Sequence, residues 1–130
     1  MRLLLDTHVL LWALSDSKRL PAETRDLIAS ADNEVLFSAA SIWEIAIKAQ
    51  LARAEFGVDP ETIIDAARET GFTELAVSAQ HAAGVAKLPL HHKDPFDRML
   101  ISQALTEPAR LLTADRTLGA YSKDLVALIE

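Results

Sequence analysis

Short apolar runs alternate along this chain with segments of helical length. RLLLD at 2–6 is followed directly by THVLLWAL at 7–14, and EVLFS at 34–38 is followed by SAASIWEIAIKAQLA at 38–52. Short uninterrupted apolar runs are typical of strands that are buried on both faces, because strands with one solvated face alternate polar and apolar residues. The alternation therefore predicts an α/β fold in which helices cover both faces of a parallel sheet.

The rest of the chain continues this pattern. Pro21 and Asp59-Pro60 mark helix starts, and Gly71 marks a helix end, because proline suits the first helical turn and glycine the position after the last. Ser78 is expected to cap a helix at 78–88. Three further apolar runs complete a set of five predicted strands: FTELAV at 72–77, RLLTA at 110–114 and LVALI at 125–129.

Length and composition limit the class of protein. A chain of 130 residues is the size of one domain, so a single domain over 1–130 is expected. The absence of cysteine excludes disulfide scaffolds, thiolate zinc sites and cysteine nucleophiles. The apolar runs are far shorter than the roughly 20 residues that span a membrane, and no cleavage site follows the apolar start of the chain. We therefore expect a cytoplasmic protein with no membrane partner.

The formal net charge of −6 restricts how the protein can bind nucleic acid. It argues against a protein that coats nucleic acid through bulk positive charge. It is compatible with a nuclease, because carboxylates that hold divalent cations themselves contribute to the negative count.

Two acids follow predicted strands. Asp6 ends RLLLD and Asp115 follows RLLTA. In open parallel sheets, ligands bind outside the carboxyl ends of the strands, so both acids belong to the edge where function is expected. Each also has a structural interpretation as a helix cap. Asp6 fits a cap alone less well, because carboxylates with apolar neighbours on both sides are seldom buried unless paired or bound to a metal.

Glu44 lies inside ASIWEIAIK, within the third predicted helix. Helical spacing places it on an apolar face that is expected to point inward, since its neighbours at i−4, i+3 and i+7 are Ala40, Ile47 and Leu51. The alternative is a surface pair with Lys48 at i+4, which would stabilise the helix by only a few tenths of a kcal/mol.

The stretch HHKDPFDRMLISQA at 91–104 holds two aspartates at one helix start. Asp94 before Pro95 matches an N-cap followed by proline at the first helical position. Asp97 then occupies the position of the acid in a capping box, which is its structural interpretation. It also shares a predicted buried stripe, so Asp94 is the better cap and Asp97 the better inward ligand. The other residues of that stripe are Leu100, Ile101, Ala104 and Leu105.

Four carboxylates are thus expected to meet at one edge of the sheet. Such like charges repel unless some become protonated or a cation neutralises them. Ligands that are all oxygen favour hard cations, so Mg²⁺ or Mn²⁺ is the expected occupant. A metal site of this kind suits phosphodiester hydrolysis. The four acids are Asp6, Glu44, Asp97 and Asp115.

Four segments together resemble the PIN-domain ribonucleases, specifically the VapC-like toxins of bacterial toxin–antitoxin pairs. They are LLLDTHVLLWAL, SAASIWEIAIK, HHKDPFDRMLISQA and LLTADRTLGAY, which extend from residue 3 to residue 121. The resemblance implies a three-layer α/β/α sandwich with a central five-stranded parallel sheet, and RNA cleavage that depends on Mg²⁺ or Mn²⁺. It also implies a homodimer that a VapB-type antitoxin inhibits. Trp12 and Trp43 are expected in the core or at such a dimer interface.

The resemblance also implies a role for individual residues. Thr7 and Thr113 would supply hydroxyls that help to hold the site or its water. The metal-site acids would be Asp6 in LLLDTH, Glu44 in WEI, Asp97 in DPFDR and Asp115 in LLTAD. The chain departs from the family where relatives often carry a glycine after IK, since it reads IKAQLARAEF there. Residues 52–75 match no functional motif.

Several basic residues receive weaker expectations. His92 is expected to pack a loop or contact a phosphate, and His91 to face solvent, since adjacent histidines rarely bind one metal together. Arg98 is expected to form an ion pair or meet RNA phosphate. Two interpretations of Lys48, Lys87 and Lys93 stay open, since they could form a weak basic rim but such charges usually just face water.

Other functions remain as alternatives. One is a catalytically inactive PIN-like subunit that binds RNA or protein. An aspartate-nucleophile phosphatase would need a second aspartate where this chain has His8. A phospho-receiver domain would need a lysine after the last strand, whereas Lys123 precedes it.

Overall fold

A five-stranded parallel sheet forms the middle of the protein, in a computed structural model that describes residues 1–51, 58–90, 93–120 and 126–128. The strand order is β3-β2-β1-β4-β5, and every neighbouring pair is parallel. The order reverses beside β1, which is where open α/β sheets bind ligands. The strands are β1 (Arg2–Leu5), β2 (Glu34–Ser38), β3 (Thr73–Leu75), β4 (Arg110–Thr113) and β5 (Val126–Leu128).

Helices connect these strands. Within the described ranges they are α1 (Thr7–Leu14), α2 (Ala22–Ala29), α3 (Ala39–Gln50), α4 (Pro60–Thr70), α5 (Ala79–Gly84) and α6 (Pro95–Thr106), with 3-10 turns at Val85–Lys87 and Arg116–Ala120. The helix expected at 78–88 is therefore divided into α5 and a 3-10 turn. None of the described helices combines the length and the apolar character needed to cross a membrane.

Two apolar clusters confirm the three-layer arrangement. Leu3 and Leu5 of β1 point to one face of the sheet, where they pack with residues of α1, α3 and α4. Leu4 points to the opposite face and packs with Leu100 and Ile101 of α6. Successive side chains of a strand point to opposite faces, so an apolar run such as RLLL can supply both cores at once.

Helix α4 begins and ends where the sequence indicates. Asp59 is its N-cap, with a carboxylate that accepts a hydrogen bond from the backbone N–H of Glu61 at 3.3 Å, and Pro60 fills the first helical position. Gly71 ends the helix in the left-handed conformation, with φ of 96°. A residue without a Cβ adopts that conformation at little cost. Of the unassigned segment 52–75, the structure describes 58–75, which form α4 and β3.

Two leucines expected on inward stripes are exposed instead. Leu51 is 62% exposed, and it lies just past the last residue of α3, Gln50. Leu105 is 47% exposed. It lies eight residues after Asp97, and at about 100° per residue that spacing turns it roughly 80° away from the aspartate. The other three residues of the Asp97 stripe, Leu100, Ile101 and Ala104, are buried as expected.

Candidate active site

A small polar cavity opens at the carboxyl end of β1. Its volume is about 190 Å³, and all four acids that the sequence singles out line it. We call it the carboxylate cleft. The residues that line it are Asp6, Thr7, His8, Glu44, Lys48, Asp94, Asp97 and Asp115.

Asp6 is both a helix cap and a buried member of the cleft. One carboxylate oxygen accepts a hydrogen bond from the backbone N–H of Val9 at 2.8 Å, which caps α1. The other oxygen accepts a hydrogen bond from the hydroxyl of Thr113. Asp6 is only 5% exposed. Burial raises the pKa of this carboxyl, and the charge of Glu44 adds to that rise, while the hydrogen bonds from Thr113 and Val9 oppose it.

Glu44 is held on both of its carboxylate oxygens. The hydroxyl of Thr7 donates to Oε1 at 2.7 Å, and the ammonium of Lys48 lies 3.0 Å from Oε2. The hydroxyl of Ser41 lies 3.0 Å from that of Thr7. Both interpretations of Glu44 therefore apply, since the i+4 pair forms and the glutamate is still buried in the cleft.

Asp94 and Asp97 divide their roles only in part. Asp94 is the N-cap of α6, and its carboxylate accepts hydrogen bonds from the backbone N–H groups of Phe96 at 2.8 Å and Asp97 at 3.3 Å. Pro95 fills the first helical position. Asp97 lies in the first turn and is half-buried. The structure places both aspartates in the lining of the cleft, although the sequence indicated only Asp97 as an inward residue.

Asp115 also combines two roles. Its carboxylate accepts hydrogen bonds from the backbone N–H of Thr117 at 3.0 Å and from the hydroxyl of Thr117 at 2.7 Å. These contacts cap the 3-10 turn that follows β4. The backbone N–H of Asp115 donates to the hydroxyl of Thr113, which itself donates to Asp6. Thr113 therefore links the two acids that follow β1 and β4.

The donor set of the cleft suits a hard divalent cation. Five carboxylates line it, and oxygen ligands of this kind favour hard cations. A bound cation would also favour the ionised form of Asp6, whose pKa burial raises. Across the described ranges, however, no group of three or more histidine, aspartate or glutamate side chains is arranged so that it could hold a metal ion as it stands. The cleft has the donors and the charge for a cation, without a completed set of ligands.

Comparison with known proteins places the chain in a family. The profile of the PIN domain matches residues 3–124. The chain belongs to the PIN-domain family. It is 30% identical over 122 residues to Ribonuclease VapC22 of Mycobacterium tuberculosis, an alignment that covers 91% of this chain and 90% of that protein.

Solved structures share the PIN-domain fold. VapBC2 from Rickettsia felis, bound to a promoter DNA fragment, matches with a TM-score of 0.74 at 15% identity, covering 100% of both chains. DNA-bound VapBC from Salmonella typhimurium matches with a TM-score of 0.68 at 14% identity, over 98% of this chain and 97% of that one. VapBC-1 from nontypeable Haemophilus influenzae matches with a TM-score of 0.64 at 18% identity, over 98% of each.

Of the other basic residues with a predicted role, Arg98 lies away from the carboxylate cleft. The guanidinium of Arg98 donates to the backbone carbonyls of Val85 and Pro89, both at 3.0 Å. Arg98 lines an apolar groove with Trp43 and Phe96 instead of the carboxylate cleft. His91 and His92 lie outside the described residues.

Three residues at the site are not indicated by the sequence patterns. Lys48 and His8 line the cleft, and Ser41 contacts the hydroxyl of Thr7. The spacing gave one usable signal. Ser41 and Lys48 lie three residues before and four residues after Glu44, so a helix places all three on one face.

Proposed function

We propose that this protein is a metal-dependent endoribonuclease and the toxin of a VapBC-type pair. The observation that carries the proposal is the meeting of Asp6, Glu44, Asp97 and Asp115 in one cleft of a PIN domain. The four acids come from four separate segments of the chain. The similarity to Ribonuclease VapC22 supplies the substrate class, which is RNA.

The proposed roles of these residues follow from their contacts. Asp6, Glu44, Asp97 and Asp115 would hold Mg²⁺ or Mn²⁺ through carboxylate oxygens. Thr113 and Thr7 would be positioning residues, because their hydroxyls donate to the carboxylates of Asp6 and Glu44 and fix their orientation. When bound, the metal would stabilise the charge that develops on the phosphate and lower the pKa of the attacking water. His92, just before α6, remains a proposed phosphate contact, and Arg98 a weaker one.

The partners follow from the relatives. Three solved structures with the same fold are VapBC complexes, so we propose a VapB-type antitoxin as the inhibitor of this chain. A homodimer is proposed from the same resemblance. Trp43, which is 62% exposed and packs edge-to-face with Phe96, provides an apolar surface that such a dimer would cover. The chain would act as a single PIN domain.

The proposal is tested by RNA cleavage with purified protein. Wild-type protein should cleave RNA in Mg²⁺ or Mn²⁺ and lose this activity in a chelator. Asp6→Asn and Asp97→Asn should each lower the cleavage rate by roughly 10²–10³-fold or more while the circular dichroism spectrum is unchanged. Asp26→Asn, an exposed change in α2, is the matched control.

Measurements of RNA binding and RNA cleavage on the same purified protein distinguish an enzyme from an inactive subunit. If wild-type protein binds RNA but does not cleave it with either metal, the alternative of a catalytically inactive PIN-like subunit is correct. In cells, expression should arrest growth, and coexpression of the adjacent small gene should restore it. Growth that continues normally at high expression would contradict the toxin assignment.

A further inference from the structure

Lys48 is the only lysine or arginine among the described residues that line the carboxylate cleft. It lies in the last turn of α3, one helical turn after Glu44. Its ammonium is 3.0 Å from Oε2 of Glu44, and the two side chains are 27% and 6% exposed. Lys48 therefore lies in the lining of the cleft and is not part of a solvated basic rim.

The burial of this pair distinguishes it from an ordinary surface pair. Exposed pairs at i,i+4 contribute only a few tenths of a kcal/mol, because water screens them and the side chains are mobile. Here the glutamate is buried, and the hydroxyl of Thr7 holds its other oxygen. The ammonium is therefore placed at the cleft and does not range freely through solvent.

Lys48 should have opposite effects on two ligands of the cleft, a divalent cation and an RNA phosphate. A divalent cation that binds the carboxylates would meet an ammonium already beside Glu44, and like charges repel. An RNA phosphate that approaches the same carboxylates would be repelled by them and attracted by the ammonium. Because the chain has a net charge of −6, an ammonium at the cleft offsets part of the repulsion that an approaching RNA phosphate meets.

We propose that Lys48 binds the RNA phosphate at the cleft, and that its ion pair with Glu44 is the resting contact of the free protein. The inference rests on the proposed ribonuclease function. A lysine ammonium is a compact charge on a flexible four-carbon stem, so it can turn from a carboxylate to a phosphate without movement of the helix.

The test compares Lys48→Met and Lys48→Arg with wild-type protein in two binding experiments. The first measures Mg²⁺ affinity by calorimetry in the absence of RNA. The second measures the affinity for a single-stranded RNA by fluorescence anisotropy in a chelator, over a range of salt concentrations. Lys18→Met is the matched control, because Lys18 lies beyond the end of α1 that points away from Asp6.

The two affinities should move in opposite directions. Lys48→Met should bind Mg²⁺ roughly three- to tenfold more tightly, because a repelling charge is gone. It should bind RNA more weakly, with the slope of log affinity against log salt reduced by about 0.7, as for the loss of one phosphate contact on a single strand. Lys48→Arg should retain both affinities approximately, and Lys18→Met should resemble wild-type protein.

A purely structural role for Lys48 gives a different result. If the lysine only holds Glu44 in place, Lys48→Met should bind Mg²⁺ more weakly and leave the salt dependence of RNA binding unchanged, which would overturn the inference. Lys48→Gln repeats the test if the methionine variant fails to fold, since it retains a hydrogen-bond donor for Glu44 without a charge. Wild-type protein that binds Mg²⁺ and RNA without cleavage would contradict the proposed function alone, because the binding comparisons do not require catalysis.

Discussion

Two clusters of ionisable side chains lie at opposite ends of β1, and they are built in opposite ways. At the start of the strand, Arg2 pairs with Glu34 at 3.0 Å and with Glu107 at 3.3 Å. The buried His81 completes this cluster with a contact of 2.8 Å to Glu107. We call these four residues the Arg2–Glu107 network. At the other end of β1, the carboxylate cleft gathers carboxylates around Asp6 and Glu44.

This difference is what we expect if the Arg2–Glu107 network is structural and the carboxylate cleft is functional, as proposed above. In the Arg2–Glu107 network each carboxylate faces a cation, and the pKa of Glu107 is lowered by its hydrogen bond to His81 and further by Arg2. In the cleft the pKa of Asp6 is raised by burial and by Glu44. A buried carboxyl whose ionised form is disfavoured, such as Asp6, lowers the stability of the free protein, and such groups occur where a ligand supplies the missing charge.

The largest expected effect on stability comes from Glu107→Ala. The backbone N–H of Ser78 donates to Nδ1 of His81, which leaves the hydrogen of the ring on Nε2, facing Glu107. Loss of the carboxylate leaves that buried N–H without its acceptor, so the free energy of unfolding should fall by about 1–3 kcal/mol. Urea denaturation in a chelator measures the change.

Asp6→Asn is the contrasting variant in the same experiment. An asparagine oxygen can still cap α1, and the repulsion with Glu44 is removed, so the free energy of unfolding should change by less than about 1 kcal/mol. If Asp6→Asn destabilises the protein as much as Glu107→Ala does, the distinction between a structural and a functional cluster is wrong.

The pH dependence of the network should follow the lowered pKa of Glu107. Folding favours the ionised carboxyl, so this stabilisation is complete above the ordinary pKa of a glutamate and is lost as the pH falls through the lowered pKa of the folded state. The difference in unfolding free energy between wild-type protein and Glu107→Gln should therefore be constant near neutral pH and shrink in acid. A difference that grows as the pH falls would contradict the assignment.

The sequence indicates the fold well because the decisive signals are local. RLLLD and RLLTA show buried strands that end in acids, and each strand is followed by a helical segment. The length of β3 was overestimated for a reason outside its own sequence. Leu75 pairs with Ser38, the last residue of β2, so the ladder has no partner for the residues that follow.

The contacts between elements could not be predicted in the same way. Strand ends and helix register indicate that Asp6, Glu44, Asp97 and Asp115 meet, but not that Thr7 of α1 fixes Glu44 of α3. That contact depends on how two helices pack. The Arg2–Glu107 network joins residues 105 positions apart and follows no short-range pattern, so sequence spacing could not reveal it.

Addition of Mg²⁺ should raise the free energy of unfolding through the carboxylate cleft and not through the Arg2–Glu107 network. A ligand that binds only the folded state at ten times its dissociation constant stabilises a protein by about 1.4 kcal/mol. Wild-type protein and Glu107→Ala should both gain this increment, whereas Asp97→Asn should gain clearly less. Thermal unfolding with and without Mg²⁺ measures it. An equal gain in all three proteins would place the cation outside the carboxylate cleft.

A further small effect tests the packing that holds His81 beside Glu107. A Cβ on Gly84 of α5 would lie 2.6 Å from the hydroxyl oxygen of Ser102 on α6, which donates to the backbone carbonyl of His81 at 2.6 Å. Gly84→Ala should therefore cost about 1 kcal/mol, because Ser102 must give up that hydrogen bond.

A double-mutant cycle tests this cause directly. In a Ser102→Ala background the obstructing oxygen is absent, and alanine favours a helix over glycine, so Gly84→Ala should be neutral or slightly stabilising there. RNA cleavage should be unchanged in all of these variants, because neither residue lines the carboxylate cleft. Equal costs of Gly84→Ala in both backgrounds would show that the contact with Ser102 is not what requires glycine. A loss of cleavage would show that the two ends of β1 are coupled through α6, and the separation of structural from functional charges would then fail.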